Sequence, residues 1–158
     1  MEGAAYELVE LLGEGGMGRV YRAVHHPTRM EVAVKTLRGG GDALRRRLLL
    51  DEATAAARVR HRRIARVIDV GRDPEGAPFL VMELVPGHDL ERFFVAWPGW
   101  PTVARALTET LEGLEAAHAM QVVHRDLKPP NVLIDSRDQS IRLVDFGVAA
   151  VEIGRAHV

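Results

Sequence analysis

The sequence predicts an α+β fold, with antiparallel strands first, one helix set among them, then a longer helix followed by short strands. Three observations carry that prediction. Valine-rich runs separated by turn residues fill the first third of the chain. Two later stretches, after Asp42 and after Pro101, repeat apolar residues at helical spacing. The 158 residues are 47% apolar and 27% charged, enough to bury a core and typical of a globular domain.

The elements follow in order. Tyr6–Leu12 reads as a strand running into the glycines of Gly13–Gly18. Arg19–Val24 resumes as a strand, and His25–Met30, with Pro27, reads as a turn. Glu31–Leu37 is a short strand, broken by Arg38–Asp42. Asp42 can cap the next helix, whose apolar stripe is Leu44, Leu48, Ala55, Ala56 and Val59. Glu52 lies on that stripe, so either a partner meets it or the helix is rotated to leave it in water. Ala65–Gly71 and Pro78–Val85 pair as a hairpin, and the following PGHDL breaks the pattern. Phe93–Pro101 reads as irregular, its tryptophans as core, with an interface as the alternative. Thr102–Met120 is a helix with a stripe of Val103, Leu107, Leu111, Leu114 and Ala117. Val132–Ile134 and Ile141–Val144 are short strands around a polar turn.

Composition also excludes classes of function. There is no cysteine, hence no disulfide framework and no thiolate zinc site, which fits a reducing compartment. Seven histidines show no HxxxH spacing. The net charge of −1 gives no global attraction for nucleic acid. The acidic N-terminus is no targeting signal, and no apolar run approaches the ~18 residues that span a bilayer. A cytoplasmic setting is expected, with membrane anchoring of a longer parent left open. Nine arginines crowd Arg38–Arg66; a solvated face is the ordinary reading, an acidic or nucleic-acid partner the alternative.

Four short motifs carry chemistry. Gly13-Glu14-Gly15-Gly16-Met17-Gly18 is a G-x-G-x-x-G followed by a strand, not a helix. It therefore sits at a hairpin tip, where bare glycines let backbone N–H groups approach phosphates. An ordinary glycine-rich turn is the alternative. In VAVK, period two puts Ala33 and Lys35 on one face of a strand. HRDLKPPN, His124 to Asn131, supplies an acid, a cation two later and an amide five after the acid. DFG, Asp145 to Gly147, follows two short strands. Of 21 basic residues only Lys35 and Lys128 are lysine, and both fall inside these motifs. A site needing a compact ammonium resists replacement by the larger guanidinium.

With Glu52 between them, these motifs in this order closely resemble the eukaryotic-like (Hanks-type) protein kinases. GEGGMGRVYRA and HRDLKPPN are most similar to the bacterial serine/threonine branch, and the likeness runs from about Tyr6 to Ala150. The resemblance implies a protein-kinase-like fold. An N-lobe of antiparallel sheet plus one helix would extend to about residue 83, a hinge to 89, and the beginning of a helical C-lobe to 151. It implies that Gly13, Gly15 and Gly18 cover the phosphates of ATP. Lys35 would bind the α- and β-phosphates and pair with Glu52. Asp126 would accept the substrate hydroxyl's proton, and Lys128 would steady the γ-phosphoryl group. Asn131 and Asp145 would hold Mg2+, or Mn2+ in its place.

By the same resemblance, Leu12, Val20, Ala33 and Leu133 sandwich adenine, with Met82 as gatekeeper. Glu83 and Val85 offer hinge backbone groups, and Asp89 approaches the ribose. His124 is structural, beneath Phe146. Lys128 points to protein serine or threonine as acceptor, and Arg125 to a type switched by activation-loop phosphorylation.

The chain ends eleven residues after Gly147, without an A-P-E motif. The resemblance thus implies a C-terminally truncated fragment, poorly soluble and nearly inactive alone, with an apolar face of the Thr102–Met120 helix exposed. Glu152–Val158 matches no family feature. Its codons can spell a sequencing-adapter string in frame, so a non-native tail is expected there. Two other readings remain: a non-catalytic nucleotide-binding or scaffold module, and an arginine-rich nucleic-acid binder.

Overall fold

The computed structural model describes residues 5–15, 18–95 and 99–146. Gly147 and the expected tail Glu152–Val158 lie outside those residues, as do Gly16, Met17 and Trp97. Strands β1 (Tyr6–Glu14), β2 (Gly18–His25), β3 (Glu31–Leu37), β4 (Val67–Arg72) and β5 (Pro78–Glu83) form one antiparallel sheet in the order β1-β2-β3-β5-β4. Strand β3 is central, which explains its nearly unbroken apolar run. Val32 and Val34 enter one core with Tyr6, Ala23, Phe79 and Val81. Ala33 and Leu37 enter another, on the opposite face, with Leu49, Ala53, Leu80 and Met82. Lys35 shares that second face.

Helix α1 (Ala43–Ala57) packs on β4 and β5. Its first turn is capped as expected: the Asp42 carboxylate accepts the Arg45 backbone N–H at 2.8 Å. The stripe needs correction. Leu49, Glu52, Ala53 and Ala56 are buried, while Leu44 is 65% exposed. Leu48, Leu49 and Leu50 in a row point apolar chains in several directions, so spacing cannot choose the inward face; docking against the sheet does. Glu52 nevertheless faces inward.

After β5 the chain forms β6 (Gly87–Asp89), helix α2 (Leu90–Val95), helix α3 (Trp100–Ala119), β7 (Val132–Asp135) and β8 (Ile141–Leu143). Strand β6 pairs with β7, and β7 with β8, in a second antiparallel sheet. Where the sequence predicts a break at PGHDL, the structure has this three-residue strand. Gly87 permits it: its φ is 142°, and a Cβ there would lie 1.9 Å from the Ile134 carbonyl oxygen.

The region expected to be irregular is helical through Val95, and Phe93 and Phe94 pack against the core. Trp100 is not core; it opens α3 and is 72% exposed. The buried stripe of α3 shares Val103 and Ala117 with the expected one but not Leu107 or Leu111. It is Val103, Ala106, Thr110, Gly113 and Ala117, with Leu107 and Leu111 52% and 64% exposed. Close approach to β8 selects small residues, since a Cβ on Gly113 would fall 2.8 Å from Leu143 Cδ1. The exposed leucines form the apolar face that the sequence led us to expect. Among the described residues no helix is long and apolar enough to cross a membrane.

An ionic joint around the buried Arg63 ties the loop after α1 to α3. Arg63 reaches Glu109 at 2.7 Å and Glu112 at 3.0 Å, while Glu109 also accepts the Ile141 N–H at 2.9 Å. The Arg63 carbonyl accepts the Leu143 N–H at 2.7 Å. Arg63→Ala is expected to cost about 1.5–3 kcal/mol, the range for hydrogen bonds to charged groups, as read by urea unfolding.

Candidate active site

The two sheets meet along a cleft of ≈ 710 Å3. Leu12, Val20 and Ala33 line it from the five-stranded sheet, and Leu133 from β7. Met82, Glu83 and Val85 line it where β5 ends, and Asp89 at the end of β6. Gly13, Gly15 and Gly18 border it at the β1–β2 hairpin. Lys35, Asp126, Lys128, Asn131 and Asp145 gather at its polar end. Every residue that the sequence offered for nucleotide contact therefore lines one cleft. Glu52 alone of the proposed set stands behind it, reaching the cleft through Lys35.

Lys35 and Glu52 are 6% and 1% exposed. The Lys35 ammonium donates to Glu52 Oε1 at 2.9 Å, Glu52 Oε2 at 3.1 Å and Asp145 Oδ1 at 3.1 Å. An ammonium has three donors, and all three are used. Burial would lower the Lys35 pKa, but the charges of Asp145 and Glu52 outweigh it, so the ammonium is held protonated above its ordinary range. Burial pushes the Glu52 carboxyl up to about 6, with Lys35 offsetting only part of that rise.

The folded state binds a proton at Glu52 more readily than the unfolded chain does. Glu52 therefore adds stability as pH falls from about 6 toward its ordinary 4.5, and that gain is lost as pH rises through about 6. Unfolding free energies across this window are expected to fall with pH for the natural chain relative to Glu52→Gln. A difference between the two that rises with pH would contradict this.

The loop between α3 and β7 holds the other polar residues. Lys128 Nζ lies 2.7 Å from Asp126 Oδ2. The Asn131 amide donates to the Asp126 carbonyl at 2.8 Å and to Asp126 Oδ2 at 3.0 Å. The hydrogen bond from Lys128, with help from Asn131, holds the Asp126 carboxyl below its usual range and so ionised. Arg125 and Asp145 adopt left-handed backbone, at φ 61° and 52°, which non-glycine residues rarely do outside constrained sites. His124 is 2% exposed, its Nε2 is 3.0 Å from the Val144 carbonyl oxygen, and its ring lies 4.7 Å from Phe146. Burial lowers its pKa, and its ring packs against Phe146 as expected.

The donor chemistry suits a hard divalent cation. Asn131 uses its amide N–H groups on Asp126, which leaves its side-chain oxygen for a metal. With an Asp145 carboxylate oxygen, this is the sparse oxygen set that Mg2+ takes when phosphates and water complete the shell. Among the described residues no cluster of three or more His, Cys, Asp or Glu competes as a metal site.

The profile of the protein kinase domain matches residues 6–156. The chain belongs to the protein kinase family. It is 36% identical to the serine/threonine-protein kinase pkn3 of Myxococcus xanthus, over 92% of this chain and 28% of that protein. It is 41% identical to the serine/threonine-protein kinase PknH of Mycobacterium tuberculosis, over 92% of this chain and 24% of that protein. The crystal structure of the Mycobacterium tuberculosis PknI kinase domain superposes with a TM-score of 0.74 at 33% identity, over 93% of this chain and 61% of that one. The chain thus spans about a quarter of the length of the curated relatives it matches.

The kinase glycine loop divides its labour more finely than its motif suggests. A Cβ on Gly13 or Gly15 would meet nothing within 4 Å, so both face open space. A Cβ on Gly18 would fall 1.8 Å from the Thr36 carbonyl oxygen. Gly18 is thus required by the packing of β2 on β3. Gly18→Ala is expected to cost about 1–3 kcal/mol in urea unfolding, while Gly15→Ala leaves stability nearly unchanged.

Some kinase residues escaped the sequence reading. Leu84 and Val144 line the cleft without a motif to mark them, and Pro130 lines it from within HRDLKPPN, at a position given no role there. Glu14, also in the lining, pairs with Arg19 at 3.2 Å and with Arg38. That pairing offsets a negative charge beside the expected phosphates. A charged residue between two glycines was the available signal, but its partners come from β2 and from the turn after β3.

Proposed function

We propose that this kinase chain belongs to an enzyme that transfers the γ-phosphoryl group of Mg-ATP to serine or threonine hydroxyls of proteins in the cytoplasm. The observation that carries the reading is the convergence of Lys35–Glu52–Asp145 and Asp126–Lys128–Asn131 on one cleft.

Lys35 would bind the α- and β-phosphates with its position kept by Glu52. Asp126, ionised and oriented by Lys128 and Asn131, would accept the proton of the acceptor hydroxyl. Its lowered pKa makes it a weak base, so its main work is to orient the hydroxyl and stabilise developing charge. Lys128 would stand between Asp126 and the moving phosphoryl group. Mg2+, held by Asn131 and Asp145, would offset phosphate charge. The backbone of Glu83 and Val85 would meet the adenine edge, with Leu12, Val20, Ala33 and Leu133 on its faces and Met82 at the rear. Asp89 would face the ribose, and Gly13, Gly15 and Gly18 would cover the phosphates.

Two measurements test this. Mg-ATP should raise the thermal midpoint of the chain, with the rise lost in Asp145→Asn. The intact protein should then label serine or threonine of a protein substrate from γ-labelled ATP. Label confined to tyrosine would overturn the acceptor class. A nucleotide shift with no transfer by the intact protein would favour the non-catalytic nucleotide-binding module instead.

A further inference from the structure

A second cavity, of ≈ 490 Å3, lies beside the same strand end that borders the nucleotide cleft. Glu83 and Leu84 line both, so one short segment is shared between them. The second cavity is also bordered by the loop after α1, the start of β3 and the β7–β8 turn.

Its charges are unevenly matched. Arg60, Arg66, Arg137 and Arg142 line it against Glu31 and Glu83. Both carboxylates are already engaged: Glu31 by Arg22 at 2.7 Å, Glu83 by Arg137 at 3.8 Å and by the Arg66 backbone N–H at 3.3 Å. Arg142 is held by Asp135, Asp138 and the Arg62 carbonyl, yet its Nε is buried with no hydrogen-bond partner among the described residues. The exposed guanidinium groups of Arg60 and Arg66 have no carboxylate within ion-pair distance among the described residues.

The same cavity is apolar on another side. Val59 and Ile64 are buried there, while Ile68 and Met30 remain 40% and 52% exposed.

The arginines of the Arg38–Arg66 stretch differ in their partners: Arg38 meets Glu14, and Arg62 and Arg63 meet Glu112. Arg45, Arg46 and Arg47 serve α1 itself, near Asp42, the Gly40 and Gly41 carbonyls and Asp51. Arg60 and Arg66 face a concave, partly apolar surface and are not neutralised. A nucleic-acid strand would need a longer basic track to follow its backbone. An apolar side chain flanked by carboxylates matches what is present.

We propose that this cavity is a docking site for an acidic segment of a partner protein, a short peptide with an apolar side chain between glutamates or aspartates. The proposal requires neither ATP nor Asp126, so it stands or falls separately from the phosphoryl-transfer reading.

The test is fluorescence anisotropy of the full chain with a labelled Glu-Glu-Leu-Glu-Glu peptide at low salt. Its Lys-Lys-Leu-Lys-Lys counterpart and a single-stranded RNA oligonucleotide are run alongside. The glutamate peptide is expected to bind, weakly and with affinity falling as salt rises. The Arg60→Glu/Arg66→Glu variant, changed only at exposed positions, is expected to bind it about tenfold less well and to gain affinity for the lysine peptide. Urea unfolding of the variant confirms that its fold is retained. No binding of the glutamate peptide, equal binding by natural chain and variant, or tighter binding of the RNA would each overturn the proposal.

Discussion

Replacing Lys35 by methionine is expected to abolish the Mg-ATP thermal shift and, separately, to destabilise the fold by about 3–5 kcal/mol at neutral pH. The second effect arises because Glu52, 1% exposed, would lose the cation that lies 2.9 Å away. A buried carboxylate without a partner must either stay charged at high cost or take up a proton. Its pKa already stands at about 6 with Lys35 present, so without it protonation moves to still higher pH. The destabilisation should therefore shrink as pH falls below about 6, where Glu52 is neutral in either protein. Adding Glu52→Leu to Lys35→Met should restore much of the lost stability and none of the nucleotide shift. Chemical unfolding at two pH values, with and without Mg-ATP, reads both effects. If the double variant regained the nucleotide response, Lys35 would not be the phosphate-binding cation.

Asp126→Asn is expected to lower phosphoryl transfer by the intact kinase by about 10²- to 10⁴-fold, the usual range for loss of a positioned acid–base group. Mg-ATP binding should change little, because Asp126 is bound to Lys128 and Asn131 rather than to Lys35 or Glu52. Asparagine keeps an oxygen for the Asn131 amide but loses the charge that pairs with Lys128 at 2.7 Å. Rapid-quench transfer assays beside nucleotide titrations separate the two effects. A loss confined to nucleotide affinity, with the transfer rate intact, would move Asp126 from the acceptor side of the reaction to the binding side.

The limits of sequence reading appear at particular residues. The glycine loop, VAVK, HRDLKPPN and DFG were legible because each packs its chemistry into a few adjacent positions. The α1 stripe asked only for some partner to an inward Glu52, and it was the kinase resemblance that named Lys35. The inward faces of α1 and α3 were not legible. Leu44, Leu107 and Leu111 have helical spacing and hydrophobicity, yet the structure leaves them exposed. On α3 burial falls to smaller residues, because a helix lying close to a strand has room for Ala106, Thr110 and Gly113 but not for leucine, whereas α1 buries Leu49 in place of Leu44. Strand β6 was equally hidden, since three residues with a glycine show no period.

The sequence by itself determined the set of reactive groups, their order along the chain and the strands that carry them, because those depend on local spacing and side-chain chemistry. Only the tertiary structure decided which neighbours each group meets. It set Asp145 beside Lys35 across 110 positions, matched Arg63 to Glu109, and left Arg60 and Arg66 unneutralised beside a cavity. Such pairings depend on how helices and sheets dock, and docking is settled by shape and volume at long range, which no local pattern records.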